Sequence, residues 1–270
     1  MKETRTLEFK KEITNTFLKT VSAFANYDGG VILFGVDDNG TKIGIKNPRE
    51  ACLDIENKIN DSISPQPHYE LTVHKLDNTV LLTVQPGFDK PYIYKGKAYK
   101  RNDTATIAVD SIELSRLVLK GRNINFESLR ADNQKLTFHV LEEKAKAEIG
   151  IQKLSLDVLR SLNLYSNQNG YNHAAALLSD QNEFPGIDMA RFGDSINIIQ
   201  KRVTLSHESV LKEMTKALDL YRDTYQYEKI EGAERKKISL IPEEAFREAL
   251  ANALIHRTWD INVPIRILLF

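Results

Sequence analysis

Phe24-Ala-Asn-Tyr-Asp-Gly-Gly30, joined to Val31-Ile-Leu-Phe-Gly-Val-Asp37, is the stretch that decides the fold of the N-terminal third. Before it, apolar residues between Ile13 and Ala25 recur at steps of three and four, which predicts a helix with one buried face. The two glycines end this helix, because glycine readily adopts the positive φ found at helix C-termini. The apolar run that follows is short enough to predict a buried strand.

Further helix and strand signals surround this stretch. Asn47-Pro48-Arg49-Glu50 has the N-cap, first-turn proline and glutamate that are typical of a helix start. Asp110-Ser-Ile-Glu113 predicts a capped helix that ends near Gly121. Alternating or apolar segments predict strands at residues 41–45, 69–75 and 79–85, and a hairpin turn at residues 95–97. The expected fold class is α/β (α+β), with a mixed sheet and helices in the N-terminal domain.

The remaining chain has a different character. Residues 1–121 form the first predicted domain, and the polar residues 122–136 are predicted to be a linker. Residues 137–270 predict a mainly helical α+β region. Its strands are expected at 186–192, 195–200 and 264–270, and its clearest helices begin at Val210 and Pro242.

Charge and composition exclude several classes of protein. Lys and Arg total 37, as do Asp and Glu, so the formal net charge is zero and any nucleic-acid binding must use a local patch. Cys52 is the sole cysteine, which excludes an intramolecular disulfide and a cysteine-based zinc site. The charged N-terminus lacks a signal-peptide core, and no apolar run approaches the roughly 20 residues of a membrane span. We therefore expect a soluble cytoplasmic protein.

Carboxylates flank the first predicted helix and strand. Glu3 and Glu8 precede the helix, and Asp37 and Asp38 follow the strand. If they converge, their oxygens would suit Mg²⁺ or Mn²⁺, which could generate a nucleophilic hydroxide. The alternative is that the aspartates belong to a turn and that Glu8 is a solvated charge near a helix N-terminus.

Residues 90–101 are basic and contain no acid. The candidate nucleic-acid-binding residues are Lys90, Lys95, Lys97, Tyr99, Lys100 and Arg101. The period of two along a strand places Lys97, Tyr99 and Arg101 on one face, where cations and an aromatic ring could follow a phosphate backbone. The alternative is an edge hairpin whose lysines prevent pairing between sheets.

Several of these motifs together resemble the Schlafen AlbA-like family. Glu3-Thr4, Glu8-Phe9-Lys10, Ala23-Phe24-Ala25-Asn26, Gly29-Gly30 and Gly35-Val36-Asp37 match its pattern over residues 1 to about 120, with Thr4 in place of the usual serine. The resemblance implies a nucleic-acid-binding domain, as in bacterial RecG-related transcriptional regulators. In ribonuclease members, metal-binding carboxylates occupy the positions of Glu3, Glu8 and Asp37, with Asp38 competing for the last position.

The segment Ala245–Arg257 resembles the start of a GHKL-type ATPase-like domain in RecG-related regulators. That resemblance implies that Glu248 positions water and Asn252 binds Mg²⁺. Thr258-Trp259 replaces the usual Asp-Tyr, and the glycine-rich parts of a nucleotide pocket would lie beyond residue 270, so we expect no useful ATP binding. The alternative is an amphipathic helix with an apolar core face.

We therefore predict a nucleic-acid-binding protein, a bacterial transcriptional regulator or defence component that binds DNA or RNA through its N-terminal domain. The alternative is a metal-dependent endoribonuclease that uses Glu3, Glu8 and Asp37. The apolar segment Pro264–Phe270 stops without a following strand, which indicates either a fragment of a longer protein or a strand that pairs with an earlier one. Such a strand could also pair between chains in a homo-oligomer.

Overall fold

The computed structural model describes residues 2–231 and 234–270. The chain divides into two compact units, Met1–Ile124 and Asn125–Phe270, with the division inside the segment predicted as a linker. Helices and strands are mixed in both units, which confirms the predicted α+β class.

The first unit contains eight strands and three helices within the described residues. The strands are β1 (Leu7–Lys10), β2 (Gly30–Phe34), β3 (Ile63–Ser64), β4 (Tyr69–His74), β5 (Thr79–Val84), β6 (Ile93–Tyr94), β7 (Tyr99–Asn102) and β8 (Ala105–Ala108). The helices are α1 (Phe17–Asn26), α2 (Pro48–Ser62) and α3 (Ser111–Gly121).

A four-stranded sheet in the order β1-β2-β5-β4 forms the centre of this unit. β1 and β2 are parallel, with Glu8 opposite Ile32, and the other neighbours are antiparallel. The prediction of a strand at residues 41–45 is wrong. Ile43 and Gly44 instead donate backbone hydrogen bonds to the carbonyl of Gly35, so this segment folds back on the end of β2 without forming a strand.

Helix α1 is buried along nearly its whole length. Lys19 is exposed, and the other nine residues of α1 are buried. The helix contacts β5 on one side and β6, β7 and β8 on another, so its apolar residues are covered from more than one direction. This explains why the Ala23-Phe24-Ala25-Asn26 part of the helix is so poor in charge.

Asn26 joins the end of α1 to the loop before β6. Its side-chain amide donates to the carbonyl of Tyr92 at 2.9 Å, and its Oδ1 accepts from the Tyr92 amide at 2.7 Å. Ser22 donates to the same carbonyl at 2.7 Å. Asn26 and Ser22 are fully buried, so these bonds satisfy backbone groups that water cannot reach.

Asn26→Ala should lower the free energy of unfolding by about 2–4 kcal/mol, because it leaves the Tyr92 backbone groups buried with fewer partners. Urea unfolding followed by circular dichroism measures this change. Asn39→Ala, at an exposed turn, is the control and should stay within about 0.5 kcal/mol of the wild type. Equal stability of the two variants would contradict the role given to Asn26.

The second unit contains seven strands, five α-helices and a short 3-10 helix, Phe126–Ser128, within its described residues. The strands are β9 (Tyr165–Ser166), β10 (Gly170–Tyr171), β11 (Ile187–Phe192), β12 (Ile199–Leu205), β13 (Gln226–Glu231), β14 (Glu234–Ser239) and β15 (Ile265–Leu269). The helices are α4 (His139–Ile149), α5 (Leu156–Ser161), α6 (His173–Leu178), α7 (Val210–Tyr225) and α8 (Glu243–Ile255).

The main sheet of the second unit has the order β12-β11-β15. The predicted hairpin is present, but its second strand begins at Ile199 rather than residue 195, because residues 193–198 form the connection. β15 pairs in parallel with β11, as in the pairing alternative considered for residues 264–270. Pairing of this strand between chains stays a prediction.

None of the helices in the described residues is long and apolar enough to cross a membrane.

Candidate nucleic-acid interface

A buried ion pair between Glu8 and Arg101 lies at the centre of the residues that were predicted to be functional. Both side chains are almost inaccessible to solvent, and the Arg101 guanidinium contacts Oε2 of Glu8. The same carboxylate oxygen accepts a hydrogen bond from the Thr20 hydroxyl at 2.8 Å, and Oε1 pairs with Lys10 at 2.6 Å. Glu8 therefore has two cationic partners and a hydroxyl donor.

The elements around this pair explain why it forms. Glu8 lies in β1 beside β2, and Thr20 lies in α1. Arg101 is paired with Thr106 across the β7–β8 hairpin, and its guanidinium donates to the Thr106 hydroxyl at 2.9 Å. The guanidinium also donates a hydrogen bond to the Thr4 carbonyl at 3.1 Å. The pair thus connects β1, α1 and the hairpin.

The other predicted metal ligands have local structural partners. Glu3 accepts a hydrogen bond from the Phe9 amide at 2.8 Å. Asp37 accepts from the amides of Asn39 and Thr41 at 3.0 and 2.8 Å, which is the geometry of an aspartate-stabilised turn. Asp38 is exposed on the same turn.

This arrangement does not fit a divalent cation. Among the described residues, no group of three or more His, Cys, Asp and Glu side chains could hold a metal ion. Glu8 is neutralised by Arg101 and Lys10, whereas Mg²⁺ and Mn²⁺ require oxygen ligands that converge on the ion. The assignment of Glu3, Glu8, Asp37 and Asp38 to a metal site stays a prediction, and no metal-dependent step follows from their geometry.

Glu8→Ala should lower the free energy of unfolding by about 3–5 kcal/mol, because it leaves the Arg101 charge buried without its partner. Glu8→Leu combined with Arg101→Met should recover much of this loss, since no charge is then left buried. Chemical denaturation of the three proteins tests both statements.

The matched control is Asp54→Ala, which breaks a more exposed ion pair with Lys58 on α2. Its effect should be about 0.5 kcal/mol or less. A Glu8→Ala protein as stable as this control, which also loses a Mn²⁺-induced rise in Tm seen in the wild type, would favour the metal site instead.

The predicted nucleic-acid-binding residues lie in different structural environments, some buried and some exposed. Tyr99 and Arg101 face the interior, so two of the three residues predicted to share a binding face are buried. Lys97 is exposed and precedes β7. Lys100 points the other way and pairs with Glu113 at 2.5 Å. The six residues therefore do not form one continuous surface.

Three exposed lysines lie at or near the turn between β6 and β7. Lys95 and Gly96 form a tight turn with positive φ at both residues, between reciprocal hydrogen bonds of Tyr94 and Lys97. The ammonium of Lys95 lies 5.4 Å from the centre of the Tyr94 ring, and that of Lys19 lies 6.0 Å from the Tyr99 ring. We call Lys19, Lys95 and Lys97 the basic turn surface.

The tyrosines beneath this surface are supports for the lysines. The Tyr94 and Tyr99 ring centres are 6.3 Å apart, and the two residues are only 3% and 8% exposed. Such rings cannot offer a free face to a nucleobase, but they bring Lys19 and Lys95 together. Lys19 was not among the predicted residues because it lies 71 positions before Lys90, although a charged residue within an apolar helix is a signal of an exposed position.

Residues 3–110 match the family model of Schlafen, AlbA_2. This match confirms the resemblance drawn from the motifs at the N-terminus. No curated protein matches the chain.

Two solved structures give more distant likenesses. The DIP2311 protein from Corynebacterium diphtheriae is 19% identical, with 98% of this chain and 58% of that chain covered and a TM-score of 0.46. The N-terminal domain of a RecG-related protein from Nitrosomonas europaea is 22% identical, with 39% and 79% covered and a TM-score of 0.28. The present chain thus spans 58% of the length of the first structure.

Outside the AlbA_2 match, Glu248 and Asn252 are exposed on α8. Leu250 and Leu254 of the same helix are buried in the core of the second unit. This arrangement agrees with an amphipathic helix. The GHKL resemblance is not confirmed, and the nucleotide-binding role of Glu248 and Asn252 stays a prediction.

A buried carboxyl in the second unit was not anticipated. Glu213 of α7 is 1% exposed, and burial raises its pKa to about 8. Glu208 raises the pKa further, whereas Arg257 opposes the shift. A side chain on Gly186 would collide with the Glu213 carboxylate, so the glycine allows this close approach. The sequence did contain a signal for this burial, because Glu213 lies on the same helix face as Ala217 and Leu220.

Glu213 should make the protein less stable as the pH rises from about 4.5 to 8. Over this range the folded carboxyl keeps a proton that the unfolded chain has released, so raising the pH favours the unfolded state. Compared with Glu213→Gln, the wild type should lose up to about 3 kcal/mol between pH 5 and pH 8. Urea midpoints at both pH values measure the difference, with Glu244→Gln, at an exposed position of α8, as the control. Parallel pH profiles for wild type and Glu213→Gln would contradict this role.

Proposed function

We propose that the N-terminal unit binds nucleic acid, either DNA or RNA, through the basic turn surface. The observation that carries the proposal is that Lys19 and Lys95 lie over the neighbouring rings of Tyr99 and Tyr94. The exposed Lys97 lies on the same turn as Lys95. Lysine ammonium groups at fixed positions suit the regularly spaced phosphates of a nucleic-acid backbone.

The ion pairing of the lysines supports this proposal. Among the described residues, none of the three lysines pairs with a carboxylate, in contrast to Lys100 with its Glu113 partner. Their positive charge is therefore available to a ligand. Because the whole chain is neutral, attraction to phosphate depends on this local excess of charge.

The AlbA_2 match supports the same class of ligand. The match covers residues 3–110 and therefore contains the basic turn surface. Nucleic-acid binding is what the resemblance implies for this domain, and a role in transcriptional regulation or bacterial defence rests on that resemblance alone. Since phosphate contacts carry no sequence information, this surface supplies affinity without choosing between DNA and RNA.

Metal-dependent ribonuclease activity is the weaker proposal. The internal hydrogen bonds of Glu8 and Asp37 do not favour it. A cleavage assay on labelled RNA would have to use Asp37→Asn rather than Glu8→Ala, because loss of Glu8 alters folding stability as well as any chemistry.

Replacing Lys19, Lys95 and Lys97 together by Gln should weaken nucleic-acid binding at low salt by at least tenfold. Each lost phosphate contact should also reduce the slope of log affinity against log salt by about 0.7–0.9. Fluorescence anisotropy with a labelled oligonucleotide at several salt concentrations measures both effects.

The control carries the same change of charge in the second unit, at the exposed residues Lys135, Lys144 and Lys153. Its affinity and salt slope should stay near those of the wild type. Equal losses in the two triple variants would mean that only net charge matters, and no loss in either would overturn the proposed surface.

A further inference from the structure

Phe88 is an exposed aromatic residue in a loop that is firmly held. Its side chain is 86% exposed. The loop is held immediately before Phe88, because Gly87 donates to the Ala25 carbonyl at 2.8 Å and Gln85 donates to the His68 carbonyl at 2.9 Å. After Phe88, the Lys90 amide donates to the Phe88 carbonyl at 2.9 Å. A mobile loop could turn its ring away from water, but this backbone presents the ring to solvent in a defined place.

Two lysines lie beside the Phe88 loop. Lys90 and Lys120 line the same open depression, about 650 Å³ in volume, together with Phe88, His68 and Asn123. We call this depression the Phe88 pocket. It lies within the first unit and is separate from the basic turn surface.

The backbone holds the two lysine-bearing segments together. A Cβ added to Gly121, at the end of α3, would lie 1.9 Å from the Lys90 carbonyl oxygen, so only glycine permits this approach. Burial lowers the pKa of Lys90, and the neighbouring Lys120 charge lowers it further, while Asp28 opposes the shift. Like charges held close together repel each other, and an anion bound between them would relieve that repulsion.

We infer that the Phe88 pocket binds a nucleotide with an unpaired base, and that the N-terminal unit therefore prefers single-stranded nucleic acid to a duplex. This inference rests on the proposed nucleic-acid-binding function. The base stacks on Phe88, and its phosphate lies against Lys90 and Lys120. A base inside a duplex is already stacked on both faces, so it cannot reach the Phe88 ring.

The burial of the tyrosines supports this choice of stacking residue. Tyr92, Tyr94 and Tyr99 are 1%, 3% and 8% exposed, so their rings are not available to a base. Among the aromatic residues of the described segment 85–101, Phe88 is the one whose ring faces solvent. Aromatic stacking combined with nearby cations is the usual means of binding single strands without sequence preference.

Phe88→Ala is the decisive variant, because removal of an exposed side chain should not unfold the protein. The probes are labelled dT12, a dT12 analogue with abasic sites throughout, and a 12-base-pair duplex. Phe88→Ala should weaken binding of dT12 by about fivefold or more. Binding of the abasic strand and of the duplex should change by less than about twofold, since neither offers a base for stacking.

Leu76→Ala is the matched control, because Leu76 is a fully exposed apolar residue elsewhere in the same unit. It should leave binding of all three probes unchanged. Lys90→Gln combined with Lys120→Gln should weaken binding of both dT12 and the abasic strand, since both carry phosphates. Phe88→Trp provides a direct signal, because stacking on dT12 should quench its fluorescence above the background of Trp259.

The outcomes separate this inference from the proposed function. If Phe88→Ala binds dT12 as the wild type does while the basic-turn triple variant loses affinity, the Phe88 pocket is wrong and the proposed function stands. An equal loss for dT12 and the abasic strand would also overturn base stacking. If the wild type binds none of the probes, both the inference and the proposed function are wrong.

Discussion

The buried ion pair between Glu8 and Arg101 is the interaction on which the first unit depends. Neither charge can face water, so each requires the other and the hydroxyl groups around them. The pair connects β1, which lies beside β2 in the central sheet, to a hairpin 93 positions later in the chain. Because α1 contributes Thr20 to the same network, the helix, the sheet strand and the hairpin must adopt one relative position.

This pairing determines which charged residues remain for function. Glu8 was predicted to bind a metal and Arg101 to bind phosphate, but the two side chains neutralise each other. Lysines remain exposed at the Lys95-Gly96 turn, on α1 and beside the Phe88 loop. The geometry therefore favours recognition of phosphate over chemistry that needs free carboxylates.

Local signals in the sequence predicted most of the regular structure. Asp110 caps α3 by accepting from the Glu113 amide at 2.8 Å, and the helix begins where that motif indicates. β2 and β5 lie where their apolar runs were found, whereas β1 was missed because its four residues include Glu8 and Lys10. The buried partner of Glu8 is distant in the chain, so only the fold reveals why a charged segment forms a strand.

The site was harder to predict than the fold for a related reason. A period of two separates the residues of β7 into two faces, but it does not say which face lies inward. Tyr99 and Arg101 face inward because α1 covers that side of the hairpin, and this fact depends on tertiary packing. Lys19 and Phe88 were also not predicted, because each is exposed beside residues that are distant in the sequence.

In the proposed function, the two surfaces of the first unit bind one ligand through different physical effects. Lysines over buried tyrosines attract phosphate from a distance, and salt weakens that attraction in any nucleic acid. Stacking on Phe88 acts only at contact and requires a base free of its own neighbours. In the proposed binding mode, charge on one surface brings the strand to the protein, and the aromatic ring on the other decides whether an unpaired base is retained.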